Sequence, residues 1–73
     1  MKRYNVAILG ATGAVGQEML KVLGERNFPI NDLKLLASKR SAGTVVEFNG
    51  KEYAVEEARE SSFENIDVVL CAA

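Results

Sequence analysis

A glycine-rich segment is the feature of this sequence that most constrains its fold. Residues 10–16 are Gly-Ala-Thr-Gly-Ala-Val-Gly, preceded by an apolar run at residues 4–9 and followed by a segment with helical periodicity. In a strand–turn–helix unit, the first glycine permits a tight turn and the second lets the backbone approach a diphosphate. The third lets the helix pack closely on the strand. Amides at the helix start also attract an anion.

The spacing G-x-x-G-x-x-G differs from the commoner G-x-G-x-x-G, so the flanking elements matter to the interpretation. Residues 5–9 are apolar on both faces, which is typical of a central parallel strand. A helix is expected from about Gly13 to Arg26, ending before Pro29. Its expected apolar, core-facing stripe contains Val15, Met19, Leu20, Val22 and Leu23. A diphosphate-binding turn is therefore predicted, the alternative being an ordinary β–α turn that uses glycines only for geometry.

Further strands are predicted after this helix. One is expected at about Leu33–Ala37 and another over Ile66–Ala73, which is again apolar on both faces. Asn49-Gly50, between β-rich runs at residues 44–48 and 51–55, indicates a hairpin with a type I′ turn. Residues 56–62 are polar and are expected to form a connector, with one helical turn around residues 57–60.

These elements predict an α/β fold, namely a truncated Rossmann-type, doubly wound parallel sheet. It would contain a βαβ unit, a β-hairpin and a further parallel strand. A strand that is apolar on both faces needs neighbours and covering helices, and at a sheet rim it would favour aggregation. We therefore expect residues 1–73 to be the amino-terminal part of a longer dinucleotide-binding domain. The catalytic and dimerisation domain would lie outside this chain.

Composition limits the classes of function. The 73 residues carry a formal net charge of −1, which gives no electrostatic reason to expect a nucleic acid or a membrane as partner. Met1-Lys2-Arg3 followed directly by a strand lacks the order of a signal peptide and suggests a cytoplasmic protein. With one cysteine and no histidine, the chain cannot supply a zinc site or a Ser-His-Asp triad of its own.

The end of the second predicted strand indicates which cofactor is bound. In dinucleotide-binding folds, the residue that contacts the adenosine ribose lies there, about 20 residues past the glycine turn, and NAD binders usually have a carboxylate. Residues 36–41 contain no carboxylate, and Arg40 is flanked by the hydroxyls of Ser38 and Ser41. A guanidinium suits a 2′-phosphate, so NADP is predicted over NAD. The alternative is a solvated basic loop.

Taken together, three segments resemble the amino-terminal cofactor domain of the aspartate-β-semialdehyde dehydrogenase family. They are V-A-I-L-G-A-T-G-A-V-G-Q-E-M-L at residues 6–20, R-S-A-G at residues 40–43 and D-V-V-L-C-A-A at residues 67–73. The resemblance covers essentially the whole chain. It implies NADPH-dependent reductive dephosphorylation of aspartyl-β-phosphate, a step toward lysine, methionine, threonine and diaminopimelate. It also implies a homodimer or homotetramer.

The resemblance also implies roles for individual residues. Thr12, Gly13, Ala14 and Val15 would contact the diphosphate, within the turn bounded by Gly10 and Gly16. Ser38, Arg40 and Ser41 would hold the 2′-phosphate, and Ala72 would lie near the adenosine ribose. The family's cysteine nucleophile, its histidine acid–base partner and its substrate-binding arginines match no position in residues 1–73, so this chain contributes no catalytic residue and no metal ligand.

Cys71 is expected to be buried and structural, since it lies in an apolar run with no adjacent basic residue. Three other functions remain open from the sequence. The first is N-acetyl-γ-glutamyl-phosphate reductase, which shares the turn and the thioester chemistry. The second is a non-catalytic NADP-sensing protein related to the extended short-chain dehydrogenases, which have the same glycine spacing. The third is a folding or assembly fragment without ligand binding.

Overall fold

A computed structural model describes residues 2–72 of the chain. The elements, in chain order, are strand β1 (Tyr4–Leu9), helix α1 (Ala14–Glu25), strands β2 (Ile30–Ala37), β3 (Val45–Phe48), β4 (Lys51–Ala54) and β5 (Glu56–Glu57), a 3₁₀ turn (Glu60–Phe63) and strand β6 (Val68–Cys71). Since α1 contains 12 residues, no helix within residues 2–72 is long and apolar enough to cross a membrane.

Four parallel strands form the main sheet, in the order β5-β2-β1-β6. β1 is central, and the side chains of Val6, Ala7 and Ile8 are fully buried. This two-sided burial explains why the sequence of β1 lacks polar alternation. The α/β class and the parallel, Rossmann-type sheet are thereby confirmed.

The core lies on the face of the sheet that α1 covers. Val6 and Ile8 of β1 pack there beside Leu33 and Leu35 of β2, and Leu20 of α1 closes over them. Lys34 alternates with these leucines, and its Nζ donates to the carbonyl oxygen of Ser62 at 3.2 Å. The 3₁₀ turn, which belongs to the connection from β5 to β6, therefore lies over the face of the sheet opposite to α1.

The predicted hairpin is present as β3 and β4, which pair antiparallel. Asn49 and Gly50 have φ angles of 51° and 79°, the positive values that a type I′ turn requires. Buried Phe48 brings the hairpin against α1, where a Cβ at Gly24 would lie 3.5 Å from the Phe48 ring.

Other boundaries differ from the sequence-based predictions. β2 begins at Ile30, directly after Pro29, because β1 provides pairing partners from Tyr4 onward. The expected connector at residues 56–62 is wrong at its start, since residues 56–57 form β5 beside β2. The single helical turn is a 3₁₀ turn that begins at Glu60. A strand of two glutamates has no hydrophobic pattern, so only its neighbour determines it.

The other corrections concern side-chain burial near β6. Within residues 2–72, β6 is an edge strand, with Val68 and Leu70 half-buried while Val69 and Cys71 are exposed. The expected burial of Cys71 is therefore wrong, and Ala73 lies outside the described residues. The stripe on α1 is also only partly buried, because Val15 is 56% exposed and Val22 is 40% exposed. Both border an apolar groove beside Leu70 that no described element covers.

Candidate functional site

The glycine turn connects β1 to α1 and is tied to the neighbouring strand. Gly10 adopts a φ of 84°, which favours glycine because it has no Cβ. The amides of Gly10 and Ala11 both donate to the carbonyl oxygen of Leu36 in β2, at 2.8 and 3.1 Å. The turn is therefore held in place at the carboxyl end of the sheet by backbone hydrogen bonds.

The other two glycines of the motif differ in how crowded they are. A Cβ at Gly16 would lie 2.4 Å from the carbonyl oxygen of Gly10 and 2.8 Å from the Cα of Ala11, so the helix and the turn touch there. A Cβ at Gly13 would meet no atom closer than 3.6 Å, and Gly13 is exposed. Gly16 therefore permits close packing, while Gly13 leaves the outer side of the turn open.

The first turn of α1 presents unpaired amides. The first helical hydrogen bond runs from the amide of Gln17 to the carbonyl oxygen of Gly13, at 3.1 Å. Within residues 2–72, the amides of Ala14, Val15 and Gly16 donate to no backbone or side-chain acceptor. No side chain caps the helix, and its first turn contains no acidic residue. Such a helix start can accept an anion.

Thr12, the remaining residue predicted to contact a diphosphate, is half-buried in the turn. Its carbonyl oxygen accepts from the Gln17 side-chain amide at 3.3 Å. This bond connects the glycine turn to the first turn of α1.

Residues 38–41, which are predicted to hold the 2′-phosphate and are hereafter called the ribose-phosphate segment, follow β2 at the same edge. The segment is a tight turn, in which the amides of Ser41 and Ala42 donate to the carbonyl oxygen of Ser38 at 3.0 and 3.1 Å. Ser38 and Arg40 are exposed, while Ser41 is half-buried. No carboxylate within the described residues forms an ion pair with Arg40. Among residues 2–72, its guanidinium therefore has no anionic partner.

The third predicted part of the site, Ala72, lies directly after β6. Its amide donates to the carbonyl oxygen of Leu9 at 2.8 Å, so it adjoins the start of the glycine turn. The structure thus brings the turn, the ribose-phosphate segment and Ala72 to the carboxyl edge of neighbouring strands. Ligands of open parallel sheets bind at this edge. The individual contacts assigned to these residues remain predictions.

One charged group near this edge was missed from the sequence. β5 places Glu57 opposite Ala37, the last residue of β2, and the Glu57 carboxylate lies 3.4 Å from the Arg59 guanidinium. Although residues 36–41 contain no carboxylate, the neighbouring strand therefore brings one to the end of β2. Glu57 could not be found from the sequence, because only the pairing of the two-residue strand β5 with β2 places it there.

The comparison with protein families agrees with this geometry. Residues 5–73 match the family model described as "Semialdehyde dehydrogenase, NAD binding domain". The chain belongs to this family. Membership indicates a nicotinamide dinucleotide as the cofactor, while the choice between NAD and NADP is not determined by it.

Curated relatives of this family member are named aspartate-semialdehyde dehydrogenase. One from Bacillus subtilis is 56% identical over 69 residues, which is 94% of this chain and 20% of the relative. Another, from Aquifex aeolicus, is 56% identical over 71 residues, or 96% of this chain and 21% of the relative. The chain thus spans about a fifth of the length of the curated relatives it matches.

Solved structures of related proteins show the same fold. Aspartate semialdehyde dehydrogenase II from Vibrio cholerae, complexed with ASA, superposes with a TM-score of 0.92 at 49% identity, covering 99% of this chain and 24% of the other. A probable aspartate-semialdehyde dehydrogenase from Pseudomonas aeruginosa gives 0.91 at 38% identity, covering 99% and 22%. The recognition of the family from its motifs is confirmed.

Proposed function

We propose that this chain is the NADP-binding amino-terminal part of an enzyme that interconverts aspartyl-β-phosphate and aspartate β-semialdehyde. The observation that carries the proposal is the convergence, at one sheet edge, of an uncapped helix start and of Arg40, which forms no ion pair within residues 2–72. The names of the relatives, all aspartate-semialdehyde dehydrogenases among those compared, support the substrate class.

Residues 2–72 fit a bound dinucleotide. The open space outside Gly13 and the free amides of Ala14 and Val15 suit a diphosphate, which accepts hydrogen bonds and carries negative charge. When bound, the nicotinamide supplies the hydride for reduction. This chain's own contribution is to bind and orient the dinucleotide, since it contains no histidine and its one cysteine lies at the end of β6.

The remaining chemistry belongs to the larger part of the polypeptide. In the proposed reaction, a cysteine there displaces phosphate from aspartyl-β-phosphate and forms a thioester, which hydride reduces to the aldehyde while releasing the thiol. Cys71 is not proposed for this role, because residues 1–73 contain no histidine that could activate its thiol. We also infer a cytoplasmic, homo-oligomeric enzyme.

NADP is proposed over NAD because Arg40 can bind the 2′-phosphate bidentately, with the hydroxyls of Ser38 and Ser41 as further donors. We expect Arg40→Ala, in the complete polypeptide that contains residues 1–73, to weaken NADPH binding about tenfold or more. A hydrogen-bonded charge pair contributes roughly 1.5–3 kcal/mol, and about 1.4 kcal/mol corresponds to tenfold. NADH binding should change less than about twofold.

Titration monitored by nucleotide fluorescence measures both dissociation constants. Arg26→Ala is the matched control, since Arg26 is exposed at the far end of α1 and outside the site. An Arg40→Ala protein that keeps the NADPH preference of the parent would show that another group binds the phosphate.

A steady-state assay tests the substrate. With NADP and inorganic phosphate, the polypeptide should oxidise aspartate β-semialdehyde and form NADPH. Turnover of N-acetylglutamate γ-semialdehyde in its place would identify the arginine-pathway reductase. Nucleotide binding without turnover of either aldehyde would favour a sensor.

A further inference from the structure

Glu57 is an acidic residue that β5 places beside the end of β2, and the proposed function does not use it. It pairs with Ala37 across the β2–β5 ladder, and the amide of Ala58 donates to the carbonyl oxygen of Ala37 at 3.0 Å. Adjacent strands lie about 4.8 Å apart, and Ser38 follows Ala37 directly. The backbone of Glu57 is therefore about one strand spacing from the start of the segment.

A carboxylate at this edge affects the two cofactors in opposite ways. It can accept a hydrogen bond from the 2′-hydroxyl of NAD, whereas it repels the 2′-phosphate of NADP. In many dinucleotide-binding folds β2 itself supplies the carboxylate, but here residues 36–41 contain none. β5 instead supplies one from the neighbouring strand.

Arg59 is placed to offset this charge. Its Nη2 lies 3.4 Å from Oε1 of Glu57, and this is the one ion pair recorded within residues 2–72. The backbone of Arg59 is fixed by two bonds with Ser62: its amide donates to Ser62 Oγ at 3.0 Å, and its carbonyl oxygen accepts from the Ser62 amide at 3.0 Å. The Arg59 side chain is 71% exposed, so the compensation is partial.

We propose that Glu57 is a second determinant of cofactor choice, which opposes Arg40 by favouring NADH relative to NADPH, and that Arg59 attenuates its effect. The proposal rests on the proposed function in one respect, namely that the adenosine ribose of the dinucleotide lies at the carboxyl end of β2. It does not require the parent protein to prefer NADPH, because the effect of Glu57 is measured as a change in preference.

The test is the ratio of NADPH to NADH affinity in the complete polypeptide, measured by fluorescence titration at about 20 mM salt. Glu57→Gln should raise the ratio about threefold, the order expected when one unit charge is removed from the solvated surroundings of a phosphate. Glu57→Asp keeps the charge and should leave the ratio unchanged. Arg59→Gln should lower the ratio about twofold, and its effect should shrink in the Glu57→Gln background, where nothing holds the arginine.

Glu52→Gln is the matched control, since Glu52 is exposed on the hairpin strand β4, away from the segment. It should leave the ratio unchanged. The Glu57→Gln effect should also fall below about 1.5-fold at 0.5 M salt, because the Debye length shortens to a few ångströms. Circular dichroism checks that each variant is folded.

Several outcomes would overturn the assignment of Glu57. These are an unchanged ratio in Glu57→Gln at low salt, an equal change in Glu52→Gln, or a change in Glu57→Asp as large as that in Glu57→Gln. Failure of the NADP assignment has a different signature. In that case the parent protein lacks an NADPH preference and Arg40→Ala changes nothing, whatever Glu57→Gln does to the ratio.

Discussion

The glycine turn and the ribose-phosphate segment lie at the same sheet edge but are built in different ways. In the turn, the predicted ligand atoms are backbone amides, and its position is fixed by hydrogen bonds to Leu36 and by the contact of Gly16 with Gly10. In the segment, the predicted ligand atoms are side-chain atoms of Ser38, Arg40 and Ser41. Its backbone forms only a local turn.

This difference predicts that the turn governs the affinity for both cofactors, while the segment governs the selectivity for NADP over NAD. NAD and NADP share a diphosphate, so a change in the turn should affect both cofactors. Only NADP carries the 2′-phosphate, so a change in the segment should affect one of them. Ala11 and Gly16 of the turn are buried, whereas Ser38 and Arg40 of the segment are exposed, so stability should depend mainly on the turn. The following substitutions test this contrast.

Gly16→Ala should have the largest effect, on the folded state itself. Its methyl group would lie 2.4 Å from a carbonyl oxygen that belongs to the rigid turn, so the backbone must move. Overpacking of this kind costs about 3 kcal/mol in the free energy of unfolding, which urea denaturation measures. Binding of both NADPH and NADH should be lost along with the geometry of the turn.

Gly24→Ala provides the control for Gly16→Ala on the same helix. There the added Cβ would lie 3.3 Å from Oδ1 of Asn49, a side-chain atom that can move slightly, while helix propensity improves by about 1 kcal/mol. The free energy of unfolding should therefore stay within about 1 kcal/mol of the parent. Equal destabilisation by both substitutions would contradict the special role of Gly16.

Gly13→Ala should separate binding from stability. The φ of Gly13 is −77°, and a Cβ there meets nothing closer than 3.6 Å, so alanine fits without strain. The stability change should stay within about 1 kcal/mol, since alanine is only somewhat worse than glycine at a helix N-cap. The methyl group would occupy the open side that a diphosphate must approach. NADPH and NADH should both bind about tenfold more weakly, with their ratio unchanged.

If Gly13→Ala weakens NADPH alone, the turn does not hold the shared diphosphate. If it weakens neither cofactor, no diphosphate approaches the turn at Gly13, and the alternative of an ordinary β–α turn, which the sequence left open, is favoured. Isothermal titration with each nucleotide distinguishes these results.

The contrast also explains what the sequence could and could not predict. Gly10, Gly16 and the Asn49-Gly50 turn were predictable because each position requires a conformation or a proximity that few residues allow. The ends of α1 were predicted to within a residue or so by the same local rules. Backbone constraints of this kind act over a few residues and are visible in the local pattern.

Side-chain surroundings were less predictable because they depend on distant neighbours. Periodicity correctly identified the apolar side of α1, yet it could not show that Val15 and Val22 stay exposed among the described elements. It could not place Glu57 beside Ala37, since a two-residue strand is defined only by pairing. The apolar run around Cys71 predicted that its side chain is buried. The side chain is exposed because β6 lies at an edge of the sheet within residues 2–72, and the local pattern does not show this position.

Ser41→Ala should give the smallest effect and the most selective one. Ser41 is half-buried, and the turn around it is held by backbone bonds, from its own amide to Ser38 and from the Thr44 amide to its carbonyl oxygen. Loss of the hydroxyl should therefore leave the free energy of unfolding unchanged. A single hydrogen bond contributes about 1 kcal/mol, so NADPH should bind about fivefold more weakly while NADH binding is unaffected.

Ser61→Ala, in the exposed 3₁₀ turn, is the matched control and should change neither affinity. Because the expected loss of NADPH affinity is small, the double variant Arg40→Ala/Ser41→Ala provides a second test of whether Ser41 contacts the phosphate. If both side chains contact the same phosphate, their contributions should couple, and the serine should matter less once the guanidinium is gone. Full additivity, or an equal loss of NADH affinity, would mean that Ser41 supports the turn rather than the phosphate and that selectivity depends on Arg40 alone.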